Sequence, residues 1–180
     1  MKKTYEIRVA IEGAKEIKIP IKIIEEQLTD MLATASSESC GCAWWKPVDE
    51  MSYINTKNAL IEELMPDTDD EICTEQIWAR MLLNGEKLRL LDPESEWHWK
   101  GHKEGEMLWS WQIRAEGSEP EGGEWHDIGI EDILRGLLTY GLMGYANGCR
   151  PTLESVNDDG DFYDADAIIQ IAMYGEVIYG

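Results

Sequence analysis

The side chains best equipped for chemistry lie in "NDDGDFYDAD", Asn157 to Asp166, where five carboxylates surround one glycine and two aromatic rings. Such a cluster can hold a cation, imitate the phosphates of a nucleic acid, or be a solvated turn. Register argues against a calcium hand. With Gly160 as the turn glycine of a twelve-residue loop, the first ligand position falls on Ser155 instead of Asp, and the last on Asp166 instead of a bidentate Glu. The preceding "GCRPTLE" contains a glycine and a proline and carries no strong helix signal. A simpler local role falls to Asp164 or a neighbour, as the cap of the final helix, where negative charge suits the macrodipole.

Cys40-x-Cys42 and His98-x-x-x-His102 are the other ligand-like pairs. Structural zinc sites place two or more residues between paired cysteines, so a spacing of one fits poorly. His98 sits between Trp97 and Trp99 on the polar side of an expected strand. Reduced thiols and surface imidazoles follow, with no metal and no cofactor expected. No phosphate-binding glycine loop, H-E-x-x-H or G-x-S-x-G is present. Acid pairs carry no information in a chain with 36 acids. "EIK" at Glu16 to Lys18 has residue types used by metal-dependent nucleases, but a surface this negative repels phosphate. No catalytic residue is assigned, and a metal-dependent enzyme is the least favoured class.

These residues belong to a chain of 180 residues, 43% apolar with eight tryptophans, which is material for a single domain with a packed core. Its formal charge of -20 lies far beyond the roughly 2 to 8 units that solubility asks of a small domain. Such a field repels DNA, RNA and anionic membranes and draws in basic proteins. The first expected partner is therefore a basic protein, with no direct DNA binding. "MKKTYEIRVAIEG" has charges where a signal peptide needs an apolar run, and the four cysteines follow no small-secreted-domain spacing. No apolar run approaches the roughly 18 to 20 residues that span a bilayer. A soluble, cytoplasmic protein with reduced thiols is expected.

Apolar alternation through Tyr5, Ile7, Val9, Ile11 and again through Ile17, Ile19, Ile21, Ile23 predicts a hairpin with one buried face and Pro20 on an edge strand. A helix follows with Ile24, Leu28, Met31 and Leu32 on one side, and "ASSESCGCAWWKP" reads as a loop leading into a short aromatic strand. A short helix from Thr56 to Met65 is expected to bury Leu60, Ile61 and Leu64 and to end at Pro66. Thr68 and Glu71 match a capping box ahead of Ile72, Trp78, Met81 and Leu82, with Asn84-Gly85 as the stop. "EKLRLL", "EWHWK" and "EMLWSWQIRA" predict a tryptophan-rich antiparallel sheet, and "EGSEPEGGEWHD" an exposed loop. Helices from about Ile130 to Leu142, and from near Asp164 to Gly175, complete a single α+β domain of four to five helices packed on the sheet.

The charge is uneven along the chain. Residues 1 to 30 are balanced, six bases against six acids, whereas Glu116 to Asp166 hold thirteen acids against Arg135 and Arg150, more than half of the net charge. A charge run is commonly a solvated face. Here the acids fall in two segments flanking one helix, so Glu116, Glu119, Glu121, Glu124 and Asp127 together with Glu154, Asp158, Asp159, Asp161 and Asp164 are the candidate partner-binding residues. A rigid surface of carboxylates can enter a Lys- and Arg-lined groove built for a nucleic acid.

Two stretches, "IWARMLLNGEKLRLLDPESEW" (Ile77 to Trp97) and "DADAIIQIAMYGEVIYG" (Asp164 to Gly180), resemble small acidic proteins carried by phages and prophages of gut bacteria, a group similar to anti-CRISPR and anti-restriction proteins. That resemblance implies an anti-defence protein acting in the host cytoplasm. It would bind a CRISPR effector nuclease with its guide RNA, type II foremost, and block DNA binding or cleavage through a DNA-mimicking face. The competing class is a phage accessory or structural protein whose acidity keeps it soluble. A CRISPR channel that grips its heteroduplex with cationic side chains is the kind of surface such a chain would seek.

Overall fold

The computed structural model describes residues 1–9, 17–36, 44–65, 71–92, 95–100, 119–143 and 162–178. Strands β1 (Lys2–Val9) and β2 (Ile17–Ile24) pair antiparallel, with Tyr5 opposite Ile21 and Ile7 opposite Ile19, as the alternation requires. Ile23 is fully buried and Tyr5 and Ile21 lean on the core, while Lys2, Thr4, Glu6, Arg8, Lys18, Pro20 and Lys22 face solvent. The hairpin is anchored through Lys3 Nζ and the Tyr5 hydroxyl, both donating to the Leu83 carbonyl, where a cation also suits the negative helix end.

Helix α1 (Glu25–Ala35) leaves β2 directly and buries Leu28, Met31, Leu32 and Ala35. Strand β3 (Trp44–Pro47) is the expected aromatic strand. Helix α2 (Glu50–Leu64) starts six residues earlier than the apolar pattern predicted, because Asp49 supplies an N-cap, accepting from the Met51 amide at 2.9 Å and from the Ser52 hydroxyl at 3.0 Å. Leu64, expected inside, is exposed. Helix α3 (Thr74–Leu83) begins after Cys73, which makes no side-chain cap bond, so Glu71 precedes this helix and the capping-box reading fails there; Thr68 lies outside the described residues. Ile77, Trp78, Met81 and Leu82 are buried against α1, and Trp78 stacks on Trp45 of β3 with centroids 5.7 Å apart.

Strand β4 (Leu88–Leu91) lies between β3 and β7 (Trp125–Ile128) in a three-stranded antiparallel sheet, and β5 (Trp97–Trp99) pairs with β6 (Pro120–Gly122). Five strand tryptophans are thus shared between two of the three sheets of the described residues, Trp44, Trp45 and Trp125 in one and Trp97 and Trp99 in the other. The expected strand "EMLWSWQIRA" lies outside the described residues. Part of the expected acidic loop is strand instead: residues 120–122 and 125–128 bond to β5 and β4. Polar side chains hid these strands, whose backbones are held by neighbours more than by their own apolar pattern.

Helix α4 (Ile130–Met143) buries Ile133, Leu134 and Leu137 against α5 (Phe162–Tyr174). Helix α5 begins two residues ahead of Asp164, so Asp164 sits inside the first turn and does not cap it. Gly175, at φ +86°, ends it with a left-handed residue that only glycine adopts without cost. The five helices, antiparallel pairs and shared core form the expected α+β architecture. No helix of the described residues is long and apolar enough to cross a membrane.

Candidate functional site

Of the ten candidate docking acids, Glu119, Glu121, Glu124, Asp127 and Asp164 are described; Glu116, Glu154, Asp158, Asp159 and Asp161 lie outside the described residues. The first three share a strap, residues 119–124, in which the chain leaves the β5–β6 pair and crosses into the β3–β4–β7 sheet. All three are exposed. Glu119 and Glu121 are two residues apart on an extended strand, so their side chains share a face at a spacing of about 6.7 Å. Glu121 pairs in register with His98, its carboxylate 3.7 Å from the imidazole.

The strap is fixed by its backbone. The Lys100 amide donates to the Glu119 carbonyl at 2.9 Å, the Gly123 amide to Glu96 at 2.9 Å, and the Asp92 amide to Glu124 at 2.8 Å. Ser95 Oγ accepts from the Glu124 amide at 2.8 Å and donates to the Asp92 carbonyl at 2.6 Å. The Trp125 indole N–H closes the turn on the Gly122 carbonyl at 3.1 Å, and Lys46 lies 4.3 Å from the centre of that ring. Gly122 and Gly123 both take positive φ, and a Cβ on Gly123 would meet Ser95 Oγ at 2.9 Å. Ser95, Gly123 and Trp125 position the acids and went unrecognised in the sequence; the Gly-Gly step was the available signal.

Asp127 and Asp164 are engaged within the fold. Asp127 faces Arg89 across the β4–β7 ladder and forms a two-bonded pair with it, which holds its carboxyl below the usual aspartate range, chiefly through the Arg89 hydrogen bond. Asp164 accepts from the buried Tyr140 hydroxyl, tying α5 to α4. In the same segment Asp132 accepts from the Gly129 amide at 2.9 Å and pairs with Arg135. The free face of the described acids is therefore the strap.

Cations concentrate elsewhere. Among the described residues, the solvent face of the β1–β2 hairpin carries Lys2, Arg8, Lys18 and Lys22 against a single acid, Glu6, which pairs with Lys18 at 2.6 Å. Lys22 crowds Lys2 and pulls its ammonium below the usual lysine value. This separation gives the molecule a field with direction as well as sign. One cation is buried: Arg80 of α3 bonds Glu25 of α1 at 2.8 Å and grips Glu63 of α2 at 2.7 and 3.3 Å, while the second oxygen of Glu25 lies 2.5 Å from the Met1 ammonium. The Glu63 hydrogen bond foremost raises the Arg80 guanidinium, and Arg80 in turn lowers the Glu63 carboxyl.

His98 is the one described member of the candidate zinc set, and no group of three or more His, Cys, Asp or Glu that could hold a metal ion occurs among the described residues. A charge every 6.7 Å or so is about half the linear density of one DNA strand, which carries a phosphate every 3.4 Å or so. The strap can offer charge complementarity to a cationic groove without matching a nucleic acid phosphate for phosphate. No protein-family model, curated protein or solved structure matches this chain.

Proposed function

We propose that this chain is a phage-encoded anti-defence protein that docks its acidic strap into the cationic nucleic-acid channel of a host CRISPR effector nuclease, type II foremost, and so blocks DNA binding or cleavage. The observation that carries the reading is the placement of Glu119, Glu121 and Glu124: exposed, paired with no Lys or Arg among the described residues, and held on backbone fixed by Ser95, Glu96 and Lys100. Preorganised charge costs little ordering entropy on binding, so long-range attraction to a basic groove is retained in the complex. The hairpin's four cations would be repelled from such a groove, which orients the approach strap first.

The test is DNA binding by a purified guide-loaded nuclease, followed against protein and salt. Inhibition should be strongest at about 50 mM salt and fade as the Debye length shrinks. Combined Glu119→Lys, Glu121→Lys and Glu124→Lys should weaken it by about tenfold or more with the fold intact. No inhibition by the parent protein at low salt would leave an accessory or structural phage protein, acidic for solubility, as the better reading.

A further inference from the structure

Helix α2 is apolar on two sides, and the fold uses only one of them. Written as heptads from Met51, its positions c and f are Tyr53, Thr56, Leu60 and Glu63: Thr56 and Leu60 are buried, Tyr53 packs on the core, and Glu63 bonds Arg80. Positions a and d, nearly opposite at 3.6 residues per turn, are Met51, Ile54, Asn58 and Ile61, with Met65 just past the helix end. Met51 is 60% exposed, Ile54 47% and Met65 82%; Asn58 is exposed and Ile61 half-buried at the edge of the core. Met65 also sits at φ 46°, the one positive φ outside glycine among the described residues. Its left-handed backbone closes the helix, the Met65 amide bonding the Ile61 carbonyl at 2.9 Å, and leaves the side chain in solvent at the end of the exposed face.

We infer that this seam pairs with the same seam of a second copy of the chain, α2 alongside α2 in parallel about a two-fold axis. The flanking positions are self-complementary. In a parallel pair each g residue meets the e residue five positions on in the other helix, which sets Lys57 against Glu62 of the second copy twice, and Glu50 against Asn55. No like charges meet. Asn58, at a central a position, meets its own counterpart, the arrangement by which a polar residue fixes register and two-strandedness at some cost in affinity. An all-basic helix would satisfy Glu50 and Glu62 but oppose Lys57. Two heptads make a small interface, so the dimer is weak, and the charge of -20 on each copy opposes it.

Analytical ultracentrifugation of the full chain tests this, from about 5 to 500 μM, a span suited to a small interface. Monomer–dimer exchange should strengthen with added salt as mutual repulsion is screened, the reverse of the salt response expected for docking to a nuclease. Met51→Gln with Ile54→Gln, both at exposed positions, should weaken dimerisation at least tenfold, while Asn58→Val should tighten it. The strap variant Glu119→Lys, Glu121→Lys, Glu124→Lys should still dimerise, so failure here is separable from failure of the nuclease reading. A parent chain monomeric throughout in high salt, or unchanged association in the Met51/Ile54 variant, would overturn the proposal, and capture of a basic helical peptide by a monomeric chain would replace it.

Discussion

Arg89 and Asp127 stand directly opposite each other on β4 and β7 and close a fork, Nε to Oδ1 at 2.6 Å and Nη2 to Oδ2 at 2.9 Å. The pair is more than a third exposed on the arginine side, so water screens it and its contribution stays within about 1 kcal/mol. The sign of its pH dependence follows from the lowered Asp127 carboxyl. A group whose folded value lies below the unfolded one stabilises above the unfolded value, near 3.9 or so for aspartate, and loses that stabilisation as pH falls through the folded value. Asp127→Asn should therefore be less stable than the parent by up to about 1 kcal/mol at neutral pH, with the two converging in acid. Urea denaturation at several pH values checks this, and a gap that widens in acid contradicts it.

Arg80 joins α1, α2 and α3 at a buried point, with Arg80 8% and Glu25 5% exposed. Arg80→Met removes a cation from beside a buried carboxylate and should cost about 3 to 5 kcal/mol, since the charge left behind is taken out of water without its guanidinium partner. Adding Glu25→Leu should recover part of that loss, because it removes the stranded carboxylate but also takes the partner from the Met1 ammonium. The double-mutant cycle is read by chemical denaturation; a double variant no better than the single one would contradict this account.

The sequence disclosed those elements whose own side chains face the core. Ile21 and Ile23 announced β2, and Ile133, Leu134 and Leu137 announced α4, because burial follows the period of the backbone. It concealed β6 and β7: Glu121, His126 and Asp127 are polar, and what makes them strand is pairing with β5 and β4, distant in the chain. The same separation in sequence hid the neutralisation of Asp127 by Arg89. Composition revealed that carboxylates were in excess, but which of them remain outward depends on cross-strand register. The start of α2 was misplaced because Asp49 caps from outside the apolar stripe.

Gly136 brings α4 onto α5. A Cβ there would lie against the Ile168 carbonyl oxygen, well inside van der Waals contact, and 3.2 Å from its Cγ2. Helix propensity alone credits Gly→Ala with about 1 kcal/mol of stabilisation. The obstructing atom is backbone inside another helix, so overpacking by about 1 to 3 kcal/mol outweighs that gain. Gly136→Ala should lower the melting temperature, and a rise would show that α4 and α5 separate without cost. Gly175→Ala should be destabilising for a different reason, since nothing crowds its Cβ but its φ of +86° is strained for any L side chain.

Met65 opposes stability to association. Its left-handed backbone costs roughly 1 to 2 kcal/mol relative to glycine, and its exposed side chain recovers none of that within the monomer. Met65→Gly should therefore stabilise the isolated chain by about 1 kcal/mol, somewhat less than the strain because glycine also gains freedom when unfolded. The same change deletes the exposed apolar side chain at the end of the α2 seam, so dimerisation should weaken while the melting temperature of dilute protein rises. Thermal denaturation at low concentration and sedimentation at high concentration separate the two effects. A variant that is both more stable and equally dimeric would show that the Met65 side chain is not held for the second copy.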